Sequence, residues 1–356
     1  MTIQLNERIC VVPELSGVGG MVSFREKLVV GLNARGIEVC QGLADRPYGA
    51  VLVVGGSRRL GKLWRARREG VRIVQRLDGM NWLHHRLRTG ARHYLRAEYG
   101  NLLLGLIRAR LADRIVYQSQ FACRWWEQAH GAVRKPYRVI YNGVDLAIYT
   151  PEGPQTPPPD RVRLLLVEGS LMGGYELGLE HAMRLAAGLA SSARVSHSHS
   201  RQVELMIVGR VRKDIRQCWD TWAIENGYRT MRITWAGSIP HQNIPEIDRS
   251  AHLLFSADLN AACPNSVIEA LACGTPVVAF DTGALPELVP PKAGRIALYG
   301  GDPWKLDPPD IDSLVQAGEE ILWGGEQLRS GARAQAEAYF DLEDMLDDYQ
   351  QVLLGD

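Results

Sequence analysis

The 356-residue chain predicts an α/β protein built from two doubly wound parallel sheets. Short runs of β-branched and other apolar residues alternate with helical patterns along both halves of the chain. A proline-dense segment at 151–160, "PEGPQTPPPD", separates the halves and can form neither a helix nor a central strand. Ligands of such sheets bind at the carboxyl ends of the strands. We therefore expect two domains that face each other across a ligand-binding cleft.

The first half predicts six strands with helices between them. The strands are "RICVV", "IEVCQ", "AVLVVG", "RIVQRL", "RIVYQS" and "RVIYNG". The segment "SFREKLVVGLNARG" repeats apolar residues at every fourth position, Phe24, Leu28 and Leu32, as in a helix with one buried face. Gly36 is placed to end that helix.

The same alternation starts again after the proline-dense segment. The predicted elements are the strand "VRLLLVEG", a helix at 174–190, the strand "VELMIVG", a helix at 212–226, the strand "RITWAG", a short helix at 244–249, the strand "HLLFSA", a helix that opens on "CPNS", and the strands "PVVAF" and "RIALYG". We predict domains at 1–150 and 161–330, a linker at 151–160, and a C-terminal helix within 331–356 that packs toward the first domain.

A glycine-rich turn follows the first strand, in "PELSGVGGMVSFREKL". Gly17, Gly19 and Gly20 let the backbone approach a ligand, and the helix that follows directs its positive end toward the same place. The spacing departs from G-x-G-x-x-G because Val22 stands where the third glycine belongs, which disfavours an ordinary dinucleotide dehydrogenase. A glycine turn alone is equally compatible with a purely structural role.

The segment "NAACPNSVIEALACGTPVVAF" carries the strongest binding pattern. Asn265 and Ser266 are suitable N-cap residues behind Pro264, and free backbone N–H groups there would bind phosphate oxygens or sugar hydroxyls. Glu269 lies one turn further on the same face, where a carboxylate can accept hydrogen bonds from a ribose diol. The alternative is a glutamate that only stabilises the helix dipole.

Five segments together resemble the GT-B glycosyltransferases of the large retaining family 4, which use nucleoside-diphosphate sugars. They are "SGVGGMVSFREKLVVGLNARGIEV", "RVIYNGVDLAIYTP", "VELMIVGR", "ITWAGSIPHQNIPEI" and "CPNSVIEALACGTPVVAFDTGALPELV", and they follow the family's order along nearly the whole chain. The resemblance implies two Rossmann-like domains, an acceptor-side domain at 1–150 and a nucleotide-sugar domain at 161–330. It implies a donor-binding set made of Gly19, Gly20, Ser170, Arg210, Asn265, Ser266 and Glu269.

Within that set, the resemblance assigns Glu269 to the ribose and Asn265 and Ser266 to the phosphates and sugar. It places Gly19 and Gly20 close to the diphosphate and Arg210 at the edge of the nucleotide pocket.

The chain departs from the family pattern at the residues that carry charge. Ala261 stands where the first carboxylate of the E-x7-E pair belongs, and Ser170 and Gly173 replace the arginine and lysine that neutralise the leaving diphosphate. Loss of two cations would remove charge-assisted bonds from the transition state. Either another cation, Arg210, Arg212 or Lys213, substitutes for them, or the chain has lost efficient transfer.

Candidate acceptor-side residues follow the strand "RIVQRL". Asp78 could orient or deprotonate an acceptor hydroxyl, or it could simply cap a turn, and His84 and His85 are alternative bases. Retaining enzymes of this class need no protein nucleophile, so paired carboxylates at glycosidase spacing are not required.

We expect no essential metal and no cofactor beyond the nucleotide-sugar co-substrate. Asp310 and Asp312 form the one clear Asp-x-Asp pattern, but they precede a helix and fit N-cap chemistry. His197 and His199 lie in a serine-rich loop without a third ligand nearby, which favours plain solvent exposure.

The expected function is transfer of a sugar from a nucleoside-diphosphate sugar to a hydroxyl acceptor with retention, by a hexosyltransferase-type enzyme. An alternative is a GT-B protein that binds sugar or nucleotide with little or no transfer activity, motivated by Ala261, Ser170 and Gly173. A nucleoside-diphosphate-sugar epimerase of the same architecture would be expected to carry a different set of carboxylates and histidines.

Composition and charge bound the location and the partners. Hydrophobic residues make up 46% and charged residues 23% of the chain, as in globular proteins, and no apolar run is long enough to span a bilayer. The first residues lack a secretory pattern, and the six cysteines are scattered without a CxxC pair. These observations favour a cytoplasmic protein with reduced thiols.

The net charge is only +1, but the charges are unevenly distributed, with a basic block at 58–96 and an acidic C-terminus. The block carries Arg58, Arg59, Lys62, Arg65, Arg67, Arg68, Arg72, Arg76, Arg86, Arg88, Arg92 and Arg96. Two explanations stay open: the block pairs with the acidic C-terminus inside the fold, or it binds an anionic partner. Because no nucleic-acid motif accompanies it, the second explanation favours an anionic membrane surface, with peripheral attachment at the inner face, or a phosphorylated acceptor.

Overall fold

The computed structural model describes residues 8–17, 19–172, 176–195 and 202–355. The chain divides into two compact units, one of residues 1–143 and 340–356 and one of residues 144–339. Each unit contains one six-stranded sheet, and every strand pairing is parallel. The predicted fold of two doubly wound, Rossmann-like sheets is confirmed.

The first unit has the sheet order β2-β1-β3-β4-β5-β6. Its elements are β1 (Arg8–Val12), α1 (Gly20–Ala34), β2 (Glu38–Cys40), β3 (Ala50–Val54), α2 (Leu60–Arg68), β4 (Arg72–Leu77), α3 (Ala91–Leu106), β5 (Arg114–Tyr117), α4 (Gln120–His130) and β6 (Tyr137–Val139), and the last helix of the chain, α11 (Leu342–Leu354), belongs to the same unit. A 3-10 turn, Leu83–His85, lies between β4 and α3, and a π-helical turn, Ile107–Leu111, continues α3.

Burial on both faces explains why this sheet is parallel. All five residues of β3, "AVLVV", are buried, as expected for a central strand covered by helices on both sides. The predicted apolar face of α1 packs inward through Phe24, Leu28 and Leu32. Helix α11 covers α1: the ring of Tyr349 lies 5.2 Å from that of Phe24.

The second unit has the sheet order β12-β11-β10-β7-β8-β9. Its elements are β7 (Arg161–Ser170), α5 (Glu176–Ser191), β8 (Gln202–Arg210), α6 (Lys213–Glu225), β9 (Met231–Gly237), α7 (Ile244–Arg249), β10 (Leu253–Phe255), α8 (Asn265–Ala272), β11 (Val277–Phe280), α9 (Leu285–Leu288), β12 (Gly294–Ala297) and α10 (Ile311–Tyr339). The predicted strands and helices of this half all form, with ends shifted by at most a few residues.

A buried carboxylate holds the amino-terminal part of this second sheet together. Glu204 of β8 accepts hydrogen bonds from Arg161 and Arg163 of β7 at 2.8 and 2.9 Å and from Thr234 of β9 at 2.7 Å. Burial alone would raise the pKa of Glu204, but these hydrogen bonds outweigh it and lower the pKa to about 2. Glu204 therefore links three neighbouring strands.

Two further sequence expectations concern helix ends and membrane helices. The Asp310 side chain accepts the backbone N–H of Ser313 at 2.9 Å, so this aspartate caps α10. Among the described residues, no helix is long and apolar enough to cross a membrane. The loop of His197 and His199 and the position of Gly173 lie outside the described residues.

Candidate functional site

The strand order of the second unit defines a ligand site by topology. From β7 the chain adds β8 and β9 on one side of the sheet. It then crosses over and adds β10, β11 and β12 on the other side of β7. The sheet order therefore reverses between β7 and β10. Doubly wound sheets bind ligands just beyond the carboxyl ends of the strands at such a switch point. Ser170 ends β7, and helix α8 begins ten residues after β10.

The start of α8 differs from its predicted capping. Pro264 is the N-cap residue, with φ −70° and ψ 123°, and no side chain caps the helix among the described residues. Asn265 and Ser266 occupy the first two helical positions, so the prediction of N-cap side chains was wrong. The proline ring fixes φ near the value that this N-cap position adopts. The helix therefore begins at Asn265, one residue earlier than it would with Asn265 as the N-cap. Both polar side chains are half-buried in the first turn.

Glu269 is only 5% exposed and lies in the second turn of α8. A glutamate that only stabilised the helix dipole would lie in the first turn at the surface. Its Oε1 atom lies 3.4 Å from Nε2 of His241, and the same nitrogen lies 3.1 Å from the hydroxyl of Tyr149. Arg333 of α10 donates to the backbone carbonyls of Tyr149 and Ala272 at 2.7 and 2.9 Å, and these hydrogen bonds link the segment of Tyr149 to the end of α8.

A second buried carboxylate lies near Glu269. Asp248 of α7 is 1% exposed, and neither of its carboxylate oxygens has a hydrogen-bond partner among the described residues. Burial, reinforced by the negative charge of Glu269, raises the pKa of Asp248 well above its usual range, although Arg249 opposes the shift. Burial and the same two carboxylates also raise the pKa of Tyr149. Burial and the charge of Glu269 therefore favour the protonated form of Asp248.

Two more carboxylates lie at the switch point itself. Glu168 sits in an irregular part of β7, where the register against β8 shifts between Val167 and Ser170. Burial and then the charge of Asp258, three residues beyond β10, raise the pKa of Glu168 well above its usual range. Burial raises the pKa of Asp258 to about 6. Both shifts favour the protonated forms of these carboxyls, which reduces their repulsion of an anionic ligand.

The cation at this edge is Arg210, the last residue of β8. It pairs in register with Ser170, and the backbone N–H of Leu171 donates to its carbonyl at 3.0 Å. The Arg210 side chain is exposed and forms no ion pair with any described residue. Arg212, by contrast, donates to both carboxylate oxygens of Asp214. Of these two arginines, only Arg210 has a guanidinium that forms no ion pair with a described residue.

Close packing fixes the backbone around Ala261. The carbonyl of Ala261 accepts the N–H of Ala284 at 2.8 Å, and a Cβ on Gly283 would lie 2.6 Å from the Ala261 backbone. Asn260 beside it is buried with a positive φ of 56°. The loop that carries Ala261 therefore has a defined backbone.

In the first unit, the order β2-β1-β3 places a switch point at the carboxyl end of β1. The glycine turn lies there. Gly19 is the N-cap residue of α1 with φ 150°, a backbone region that favours glycine, and an added Cβ would meet nothing within 4 Å. Gly20 is the first helical residue. No side chain caps α1 among the described residues, so its first N–H groups face the turn.

Asp78 directly follows β4 in the same unit. The indole N–H of Trp126 donates to the Asp78 carbonyl at 2.7 Å, which fixes the backbone. Burial raises the pKa of the Asp78 carboxyl, while nearby Arg76 opposes the shift. Arg76 is 1% exposed, lies 3.7 Å from the ring centre of Phe24 and donates to Asn142 at 2.7 Å. A carboxyl with a raised pKa fits proton transfer better than simple turn capping.

The two candidate histidines bind a common partner. Nε2 of His84 lies 2.6 Å and Nε2 of His85 lies 3.0 Å from Oε1 of Glu98 on α3. Hydrogen bonding from His84, followed by the charge of His85, lowers the pKa of Glu98. Both histidines are thus engaged with a carboxylate of their own unit.

The sequence analysis missed Tyr149, His241, Asp248, Asp258 and Glu168. One signal was available for Asp248: it shares a helical face with the apolar residues Ile244 and Ala251, a spacing that places a carboxyl in the core. The other contacts join segments that are distant along the chain, so no local pattern marks them.

Comparison with protein families adds independent information on the second unit. Residues 181–322 match the family described as glycosyl transferases group 1. The group 1 segment includes Arg210, Asp248, Asn265, Ser266 and Glu269. A search of curated protein sequences found no significant match.

Solved structures with a GT-B arrangement match nearly the whole chain. Sucrose-phosphate synthase from Thermosynechococcus elongatus is similar over 97% of this chain and 98% of its own, with a TM-score of 0.72 and 17% identity. A glycosyltransferase from Rickettsia africae matches over 98% of both chains, with a TM-score of 0.69 and 14% identity. Anabaena HepE in complex with UDP and glucose matches over 98% and 99%, with a TM-score of 0.66 and 16% identity. At these identities the likeness concerns the fold, and the GT-B prediction is confirmed at that level.

Proposed function

We propose that this protein is a glycosyltransferase that moves a hexose from a nucleoside-diphosphate sugar to a hydroxyl acceptor with retention, as enzymes of family 4 do. The observation that carries the proposal is the match of residues 181–322 to glycosyl transferases group 1. In this segment, buried Glu269 lies one turn after the uncapped start of α8. Several solved structures of similar fold contain UDP or UDP-glucose. A UDP-sugar is therefore the first donor to test.

In the proposed complex, Glu269 accepts hydrogen bonds from the ribose hydroxyls, and His241 and Tyr149 hold its carboxylate in place. The first N–H groups of α8, with the side chains of Asn265 and Ser266, bind phosphate and sugar oxygens. In the first unit, Gly19 and Gly20 form an uncapped helix start of the kind that binds phosphate oxygens. Ser170 supplies a neutral hydroxyl where the family has an arginine.

Arg210 is the proposed cation for the leaving diphosphate. It is exposed at the carboxyl end of β8 beside Ser170, and no described residue neutralises it. A guanidinium can bind two phosphate oxygens at once. It would stabilise the negative charge that develops as the sugar leaves, and so compensate in part for the residues lost at positions 170 and 173.

Retention follows from attack and departure on the same face of the sugar. The bond from the anomeric carbon to the phosphate oxygen breaks, the acceptor oxygen forms the new bond, and the acceptor proton passes to the leaving phosphate. No protein nucleophile or divalent cation takes part in these proposed steps. Asp78, with its raised pKa, orients the acceptor hydroxyl by hydrogen bonding.

The test is nucleotide release from UDP-, GDP- and ADP-sugars, measured with and without candidate acceptors. The wild-type chain should release one nucleotide per sugar transferred. Glu269→Gln should weaken UDP binding by about 10- to 100-fold, because it removes charged hydrogen bonds worth about 1.5–3 kcal/mol. Glu326→Gln, at an exposed position of the same unit, is the control. Nucleotide binding without release from any donor would identify a binding protein instead of a transferase.

We also propose that the first unit attaches to an anionic membrane surface on the cytoplasmic side. In the described residues the acidic side chains of the C-terminus pair with Arg35 and Arg138, outside the basic block. Arg72 of the block donates to the backbone carbonyls of Leu353 and Gly355. Most of the block is exposed, and α3 adds an exposed apolar stripe. The stripe consists of Leu95, Tyr99, Leu102 and Leu106, which are 40–68% exposed.

Arginines beside an apolar stripe fit the interface of an anionic bilayer. Vesicles with phosphatidylserine should sediment the protein and neutral vesicles should not. Binding that resists both high salt and charge removal at Arg92 and Arg96 would contradict the proposal.

A further inference from the structure

We propose that His84, His85 and Glu98 form a binding site for one divalent transition-metal ion, with zinc as the best match to the ligands. One oxygen of Glu98 lies 2.6 and 3.0 Å from the Nε2 atoms of the two histidines. One ligand atom from each residue falls within 4.8 Å of the others. In the part of the chain that the structure describes, no other group of three histidine, cysteine or acidic residues converges in this way.

Local backbone geometry brings the two histidines to the same side. Side chains of consecutive residues usually diverge, but the 3-10 turn Leu83–His85 leaves the two rings with centroids 4.1 Å apart. The ring of Tyr94 packs edge-on against both, at 5.0 Å from His84 and 5.6 Å from His85. Tyr94 and Glu98 lie one turn apart on α3, so one helix face positions both the carboxylate and the ring that supports the histidines.

A second set of contacts fixes the loop to the helix. The Asn81 backbone N–H donates to the side-chain oxygen of Asn101 at 3.0 Å, and the Asn101 amide donates to the Asn81 carbonyl at 2.8 Å. The loop between β4 and α3 is therefore attached to α3 on the C-terminal side of Glu98. The ligands are arranged before any metal binds, which lowers the entropic cost of binding.

The observed distances require only a small adjustment. Ligands 2.0–2.1 Å from a tetrahedral zinc ion lie about 3.3 Å from one another. The present separations are those of hydrogen bonds, in which the imidazole N–H groups donate to the carboxylate. A cation that replaced these protons would lengthen the two carboxylate–imidazole separations by less than about 1 Å. The ligand nitrogens of the two histidines, within 4.8 Å of each other, would adjust to a similar separation. His85 and Glu98 have side chains 48% and 42% exposed, so they can move, while His84 is fixed at 1%.

Ligand chemistry selects the class of ion. Two imidazoles and one carboxylate suit zinc and other late transition metals, whereas magnesium and calcium prefer all-oxygen sites. Because two ligands are half-exposed, water can complete the coordination. The ion would join the loop after β4 to α3 and stabilise the first unit. This inference does not depend on the proposed transfer, and no step of that transfer uses the ion.

The test treats the full-length chain with a chelator and then measures zinc binding by calorimetric titration. The background protein carries His197→Ala and His199→Ala, because that His-x-His pair can bind zinc on its own. The test variants are His85→Ala and Glu98→Gln, both at half-exposed side chains. His93→Ala, at an exposed histidine of α3, is the matched control.

The background protein should bind one zinc ion per chain, and zinc but not magnesium should raise its melting temperature. Each test variant should weaken zinc binding at least about tenfold, and His93→Ala should leave it unchanged. Absence of zinc binding in the background protein would overturn the proposal. Equal affinity in both test variants and the control, with all of them folded by circular dichroism, would overturn it as well.

Discussion

The residues that distinguish this site are buried carboxylates and one exposed arginine. Glu269 and Asp248 are almost fully buried in the second unit, and Asp258 and Glu168 lie at the switch point. Burial favours the neutral form of a carboxyl and raises the pKa values of Asp248, Asp258 and Glu168. In the proposed complex, a diphosphate would therefore meet less repulsion from these carboxyls, which would strengthen its attraction to Arg210.

Arg210→Ala should weaken binding of a UDP-sugar by about 10- to 100-fold, since a hydrogen bond to a charged group contributes about 1.5–3 kcal/mol. Uridine binding should change little, because uridine lacks the diphosphate. Calorimetry with both ligands measures the difference. Arg212→Ala is the matched control, because Asp214 already binds that guanidinium. Similar losses in the two variants would rule out a specific role for Arg210.

Asp258 predicts a pH dependence of the second unit. Its pKa is about 6 in the folded chain against an ordinary value of 3.8. The folded state keeps a proton that the unfolded state releases, so the free energy of unfolding falls as pH rises from about 4 to about 6. Asp258→Asn should reduce this fall, to which Glu168 and Asp248 also contribute, and slow hydrogen exchange of β7 at pH 7. Asp312→Asn, at an exposed carboxylate, should leave the pH dependence intact. A wild-type unit equally stable at pH 4.5 and pH 7 would refute the assignment.

At the scale of elements, strands were the best-predicted features. β1 and β4 begin and end at the residues expected, because strands of a parallel sheet are buried on both faces and leave continuous apolar runs. β6 is shorter than expected, at Tyr137–Val139, since an edge strand has one neighbour and few buried residues. The N-terminus of α8 was misjudged because Asn265 and Ser266 also fit the first turn, and only backbone geometry distinguishes the positions.

Glu204→Gln should destabilise the second unit by about 3–5 kcal/mol, because it leaves two arginines partly buried without their common counter-ion. The contribution of Glu204 is complete above pH 4.5 and is lost as pH falls through about 2, since the folded pKa is lowered. Urea unfolding measures the loss in free energy of unfolding, and hydrogen exchange of β8 shows that the loss occurs in the second unit. Glu180→Gln breaks an exposed pair with Arg184 and should cost at most about 1 kcal/mol. Equal costs would contradict the structural role of Glu204.

At the scale of the whole molecule, the chain returns to its first unit in its last helix. Leu346 of α11 packs at Gly31 of α1, where a Cβ would overlap the leucine, and Tyr349 packs on Phe24. The basic block and the acidic C-terminus could both be seen in the sequence. Their partners could not, because the pairs with Arg35 and Arg138 join residues more than 200 positions apart.

Leu346→Ala should destabilise the first unit by about 2–5 kcal/mol, the usual cost of a buried leucine replaced by alanine. Hydrogen exchange should increase in α1 and leave β8 unchanged. Asp344→Ala removes an exposed side chain from the same helix and serves as the control. Unchanged exchange in α1 would show that α11 contributes little to the unit.

The sequence by itself determined the two doubly wound sheets, the glycine turn and the helix that carries Glu269, while the missing charges at 170, 173 and 261 stay a prediction from the family resemblance. These features are local, since propensity, apolar periodicity and turn chemistry act over a few residues. Only the tertiary structure decided that Arg210 is uncommitted while Arg212 is paired, that Asp248 lies beside Glu269, and that His84 and His85 share Glu98. Charge pairing and desolvation depend on distances between segments far apart in sequence, and folding alone sets those distances.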